Sequence, residues 1–132
     1  MSEVNVPSKL KSRFGDVWTQ YALAFIFPVL TVLSALIITQ CYPFGSHTML
    51  TVDLYHQYGP FLVTLRDKIL SSDSLFYSWN DGLGQEYYAS FANYAASPLN
   101  IFCIFFTPKT MPVFIGLITC IRAGLASVFM LM

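Results

Sequence analysis

Val17-Trp18-Thr19-Gln20-Tyr21-Ala22-Leu23-Ala24-Phe25-Ile26-Phe27-Pro28-Val29-Leu30-Thr31-Val32-Leu33-Ser34-Ala35-Leu36-Ile37-Ile38 carries no charged side chain. As a helix this run of about 22 residues is about 33 Å long, which matches the hydrocarbon core of a bilayer. Trp18 and Tyr21 stand near one end and Tyr42 beyond the other. Amphipathic rings prefer those positions, because one part stays in apolar matter and one part stays wet. Pro28 removes one backbone donor inside the run and predicts a kink. The run is too long for the apolar region of a secretory signal, and no A-x-A cleavage pattern follows it. It reads as an uncleaved anchor and first transmembrane helix over 17–42.

Composition agrees with that reading. Only 11% of the 132 residues are charged, while 55% are hydrophobic and 17% aromatic. A soluble domain usually has about 25% charged residues, so much of this surface faces something other than water. The net charge is zero, which gives no broad pull toward nucleic acid. Before the run, residues 1–16 hold Lys9, Lys11 and Arg13 against Glu3 and Asp16. The basic excess predicts a cytoplasmic tail, and the segment after the first span then lies outside.

That outer segment, 43–90, holds most of the charge. Pro43-Phe44-Gly45-Ser46 reads as a turn. From about 52 to 70, Leu54, Tyr58, Phe61, Leu62, Leu65 and Ile69 fall on one helical face. An amphipathic helix there, beside apolar spans, is expected along the membrane interface. Gly59-Pro60 should bend or break it. Trp79-Asn80-Asp81-Gly82-Leu83-Gly84 is turn-rich. Phe91–Phe106 is apolar but short, with Pro98 and Asn100 inside, and reads as a second membrane segment that either crosses or re-enters. Lys109 in the loop that follows favours a crossing.

Met111–Met132 is the third apolar run, over 111–132. It contains Arg122, costly at a bilayer centre, and the small residues Gly116, Ala123, Gly124 and Ser127. Small residues let helices approach closely, so this run predicts helix partners beyond the chain. Its lack of a polar end predicts a truncated piece of a larger polytopic protein. The fold class expected is an all-α membrane protein: transmembrane helices and an extracytoplasmic loop with an interfacial amphipathic helix.

Chemistry concentrates in Thr51-Val52-Asp53-Leu54-Tyr55-His56-Gln57-Tyr58. It puts a carboxylate just past the outer end of the first span. Such a group, partly desolvated, can serve as a general base toward a sugar hydroxyl. The plain structural reading is a helix N-cap or first-turn acid. His56 can meet phosphate or tune Asp53, or be an ordinary polar interfacial residue. Tyr55 and Tyr58 can stack on sugar or anchor at the interface. Arg66 and Lys68 can draw a lipid phosphate, although Asp67 between them favours a solvated face. Trp79 and Asn80 can touch a sugar or form an ordinary turn. Asn100 reads as a structural hydrogen bond, and Arg122 as structural. Cys41, Cys103 and Cys120 form no CxxC pattern and read as small apolar side chains. No HExxH, phosphate loop, GxGxxG or GxSxG occurs.

Taken in order, Tyr42-Pro43-Phe44-Gly45, Leu50 to Tyr58, Pro60-Phe61, Leu65-Arg66-Asp67-Lys68, Tyr77-Ser78-Trp79-Asn80, Gly82-Leu83-Gly84 and Ser97-Pro98-Leu99-Asn100 resemble the amino-terminal region of the YfhO family of bacterial multi-pass membrane proteins. The resemblance covers roughly residues 15–132. That family is similar to the GT-C class of glycosyltransferases. It implies transfer of a sugar from a polyprenyl-phosphate carrier to a cell-envelope acceptor such as teichoic or lipoteichoic acid, at the bacterial cell membrane. It implies Asp53 as the catalytic acid of the first outer loop. Tyr55, His56, Gln57, Arg66, Trp79 and Asn80 are then the expected substrate contacts. Ser97-Pro98-Leu99 resembles the start of a second span, which supports a crossing at 91–106. Some GT-C enzymes use a divalent metal and others do not; no metal ligands are assigned here. The family's later spans are absent, so the chain alone is expected to be inactive. A non-enzymatic membrane subunit, a lipid-carrier transporter and an inactive truncated fragment are the competing expectations.

Overall fold

The computed structural model describes residues 8–79 and 83–132, with side chains described from residue 15 onward. It forms two compact units, residues 36–118 and residues 1–35 with 119–132.

In the second of these units, helix α1 (Ser8–Ile38) meets the end of helix α4 (Met111–Leu131). On α1, Tyr21, Ala24, Phe25, Pro28, Val29, Val32 and Leu33 are half-covered, at the three- and four-residue spacing of one helix face. The opposite face exposes Leu23, Ile26, Phe27 and Leu30, as a lipid-facing stripe should. Pro28 lies inside one continuous helix. Gly124 is buried, and a Cβ on it would stand 2.7 Å from the Phe25 ring and 2.9 Å from Val29 Cγ2. The small residue on the last apolar run is therefore filled from within the chain by α1.

The larger unit starts with the tail of α1. The helix ends in a Schellman motif: the Gln40 amide donates to Ile37 O and the Cys41 amide to Leu36 O, both at 3.0 Å. Gln40 takes the left-handed position at φ 51°, where glycine is usual. A loop over 41–47 follows, in which the His47 ring meets Thr39 O at 2.9 Å and the Tyr42 amide donates to His47 O.

Residues 54–71 are helical throughout, but in two forms. A π-turn (Leu54–Tyr58) passes directly into helix α2 (Gly59–Ser71). Gly59-Pro60 therefore marks a change of helix type and not a break. The Gly59 amide donates to Leu54 O, five residues back. A π-turn takes more residues per turn than an α-helix, which shifts the phase of every later residue. Leu62, Leu65 and Lys68 are buried, whereas Tyr58 and Ile69, expected with Leu62 and Leu65 on one apolar helix face, are exposed. α2 ends as α1 does: Ser72 has φ 55°, and the Asp73 amide donates to Lys68 O at 3.0 Å.

Beyond α2, β1 (Tyr77–Ser78) pairs antiparallel with β2 (Gln85–Glu86), a small departure from an all-α chain. α3 (Tyr87–Ser90) leads into a second π-turn (Phe91–Ala95) and then a 3₁₀ helix (Pro98–Phe105). The apolar segment 91–106 is thus not one α-helix. It packs on α2, and Tyr94 joins the two π-turned regions by meeting Tyr58 edge-on at 4.9 Å and stacking on Phe61 at 5.0 Å. Asn100 is 3% exposed, and its Nδ2 donates to Ala95 O at 3.1 Å. Thr107 and Thr110 cap each other's backbone before α4. Leu62, Leu65, Ala95, Cys103, Met111, Phe114, Ile115 and Ile118 form the core of this unit.

Two helical stretches, Gly15–Ile38 and Pro108–Leu131, are long and apolar enough to cross a membrane.

Candidate functional site

The site grows from the chain's re-entry into helix after α1. Val52 sits at φ 46°, a left-handed conformation that a β-branched residue adopts only at a cost. Its carbonyl accepts from the amides of Tyr55 and His56, at 3.1 and 3.0 Å, which starts the π-turn. Asp53 lies between, with φ −64° and ψ −31° and no capping bond from its side chain. Asp53 thus stands at the N-cap position without a side-chain capping bond, exposed to solvent at the positive end of the helix.

One turn on, Tyr55 and His56 stand ring-edge to ring-face, 5.1 Å apart. Both line a cleft of about 570 Å³. The floor is the α2 face of Gly59, Pro60, Val63, Thr64 and Asp67, and the far wall is Leu50 with Pro108, Met111 and Pro112. A volume in this range suits part of a lipid or a small ligand. Asp53 and Gln57 do not line it. Gln57 is half-covered.

Asp67 is also shared with a second hollow of about 280 Å³, lined by Thr64, Lys68, Ser71, Asp73, Ser78 and Trp79. Arg66 Nη1 donates to Asp67 Oδ1 at 2.6 Å, which takes up one of the guanidinium's five donors. Arg66 Nε is buried without a hydrogen-bond partner. Trp79 is 78% exposed and edge-on to Tyr77 at 5.1 Å. Gly84 holds φ 96° under these rings; a Cβ there would come within 2.9 Å of Trp79 Cε3. Asn80, expected beside Trp79 as a substrate contact, lies outside the described residues.

Lys68 departs most from its expected role. It is 5% exposed, not part of a solvated face. Its Nζ donates to Ser74 O at 2.7 Å, Tyr77 O at 2.6 Å and Asp73 Oδ2 at 3.2 Å, and it stands 5.3 Å from the centre of the Tyr87 ring. All its donors are used to hold the 73–77 loop against α2. Asp73 is held below the usual carboxylate range, first by the Ser74 amide and then by Lys68.

Of the residues expected to meet substrate, Tyr55 and His56 line the same cleft; Thr64 and Asp67, which both hollows share, were not among them. The signal was present: 56, 60, 63, 64, 67 and 71 follow helical spacing. Apolar periodicity hides it, because the polar members of that stripe look like ordinary surface. Among the described residues, no group of three or more His, Cys, Asp or Glu is placed to hold a metal ion.

No curated protein and no solved structure matches this chain. The family description "Bacterial membrane protein YfhO" matches residues 24–132, which takes in the second half of α1, the cleft and all of α4. With two apolar helices of spanning length and a largely helical fold, the chain belongs to the YfhO family of bacterial membrane proteins.

Proposed function

We propose that this chain forms part of a membrane glycosyltransferase that moves a sugar from a polyprenyl-phosphate carrier to a cell-envelope acceptor such as teichoic acid. Membership of a membrane family supports a lipid-borne substrate. The observation that carries the reading is the uncapped, exposed carboxylate of Asp53, set behind a strained Val52 and one helical turn from a cleft lined by Tyr55 and His56. Strain kept at a solvent-exposed position has no packing rationale, and such outliers concentrate where chemistry is done.

In this mechanism the acceptor hydroxyl oxygen attacks the anomeric carbon. Asp53 takes the hydroxyl proton as the new bond forms. The bond to the carrier phosphate breaks on the opposite side, the phosphate leaves with the electron pair, and the configuration inverts. Tyr55 and His56 present an aromatic face and a ring nitrogen to the sugar or the phosphate. Trp79 belongs to the neighbouring hollow and suits an acceptor contact. In topology, an N-terminus in the cytoplasm and an outer segment over 43–90 follow from the basic tail.

Asp53→Asn tests the reading in bacterial membranes, with sugar transfer from the polyprenyl carrier as the readout. Loss of a general base should lower transfer by about 10²- to 10⁴-fold, with the amount of membrane-inserted protein unchanged. Undiminished transfer would remove Asp53 from the mechanism. A non-enzymatic lipid-carrier subunit would likewise keep its function in this variant.

A further inference from the structure

Residues 91–106 are as apolar as a span, yet their structure is not that of one. The 3₁₀ helix Pro98–Phe105 has 8 residues. At about 2.0 Å per residue it covers about 16 Å, roughly half of a hydrocarbon core of about 30 Å. Its inner side is committed: Asn100 and Cys103 are buried, and the element packs on α2. α2 carries Arg66, Asp67 and Lys68. A segment that crossed the membrane in this packing would draw those three charged residues toward the lipid with it, at a cost of several kcal/mol.

The outer side of the same helix is uncharged and uncovered. Ile101 and Phe102 are 54% and 50% exposed, and Phe105 is 75% exposed, with the Phe102 and Phe105 rings stacked at 6.5 Å. Only Phe106 and Thr107 separate this face from the spanning stretch that begins at Pro108. An uncovered apolar face two residues from a stretch of spanning length is placed by chain connectivity near the bilayer surface, where such a face is favourable.

We infer that Pro98–Phe105 is a shallow lipid-docked element, its Ile101, Phe102 and Phe105 face lying in the headgroup and upper acyl region, and that it does not cross the bilayer. This rests on the membrane family and on packing, and not on the glycosyltransferase reading. It reverses the orientation expected after residue 91. Lys109 then lies on the same side of the membrane as the cleft and β2. Among the described residues the crossings are Gly15–Ile38 and Pro108–Leu131.

Two measurements on the complete chain test it. The first uses the Gln85→Lys variant, in which an exposed β2 position gains an amine, and a membrane-impermeant amine reagent on sealed vesicles. Lys109 and position 85 should react from the same side. Reaction from opposite sides overturns the inference. The second uses Phe105→Trp with Trp18→Phe and Trp79→Phe, reconstituted in phosphatidylcholine vesicles. Lipid brominated high on the acyl chain should remove roughly half the emission, as expected for a ring about 5–10 Å below the headgroup boundary. Quenching by aqueous iodide with none by brominated lipid would show a water-facing ring and overturn lipid docking. Sugar transfer is not read in either measurement, so failure here leaves Asp53 untouched.

Discussion

Lys68 shows how one residue can fix a loop. A buried ammonium is tolerated because two carbonyls, a carboxylate and an aromatic face replace its water. Lys68→Met keeps the stem's bulk but leaves Ser74 O and Tyr77 O without this donor. It should destabilise the protein by about 1–3 kcal/mol, read as a lower unfolding temperature in detergent. Asp73→Asn should do less, since Asp73 is exposed. Its effect has a pH signature. A carboxylate whose folded pKa is depressed contributes above its unfolded pKa, and the contribution is lost as pH falls through the folded value. The gap between wild type and Asp73→Asn should therefore be full at neutral pH and close as pH falls through and below the ordinary carboxylate range. A gap independent of pH would mean that the Ser74 and Lys68 contacts do not stabilise the ionised form.

Elements of this chain were legible where one physical signal dominated. Val17–Ile38 has no charge to interrupt it, and the helix there needs no other cue. The 54–71 helix was legible in extent but not in phase. An i to i−5 bond at Gly59 leaves no mark in the apolar pattern, which grouped Ile69 with Leu62 and Leu65 on one face, whereas Lys68 is the residue buried with them. The segment 91–106 misled for the opposite reason. Its apolar residues serve a protein core on one side, with Ala95 and Cys103 buried, and leave Phe102 and Phe105 uncovered on the other. Composition cannot separate these two uses. Of the cleft's lining, Tyr55 and His56 lie in the polar string 51–58 that stands out in the sequence, while Asp67 does not, because between Arg66 and Lys68 it looks like part of an ordinary charged run. Gly124 gives a direct check at this scale. Phe25 and Val29 fill the space a side chain would need. Gly124→Leu should therefore cost about 1–3 kcal/mol by overpacking, measured as thermal unfolding in detergent. Adding Phe25→Ala should recover part of the loss. No recovery would mean that the Phe25 ring is not what the new side chain meets.

Across the whole molecule, charge is sorted along the chain more sharply than its zero net value suggests. Between the two spanning stretches stand Asp53, Asp67, Asp73, Asp81 and Glu86 against Arg66 and Lys68, while the sixteen residues before the first span carry Lys9, Lys11 and Arg13 against Glu3 and Asp16. Three basic residues before the first span and no Lys or Arg over residues 39–58 after it set the two ends of that span apart, which is the asymmetry that orients an anchor. The anchor itself must then depend on its lipid-facing stripe. Phe27 is near the middle of Gly15–Ile38 and is 75% exposed, so no protein group shields it. Phe27→Arg should raise the cost of inserting this helix by about 2.5–3.5 kcal/mol, and the fraction of chain resisting alkaline extraction from membranes should fall sharply. Phe27→Leu, of similar character, should be retained like wild type. The comparison separates burial in lipid from burial in protein: if Phe27 faced a protein partner, both substitutions would disturb packing, and Leu would not be innocuous. Equal retention of the Arg variant would mean that α1 does not lie across the hydrocarbon at residue 27, and the outer placement of residues 43–90 would lose its support.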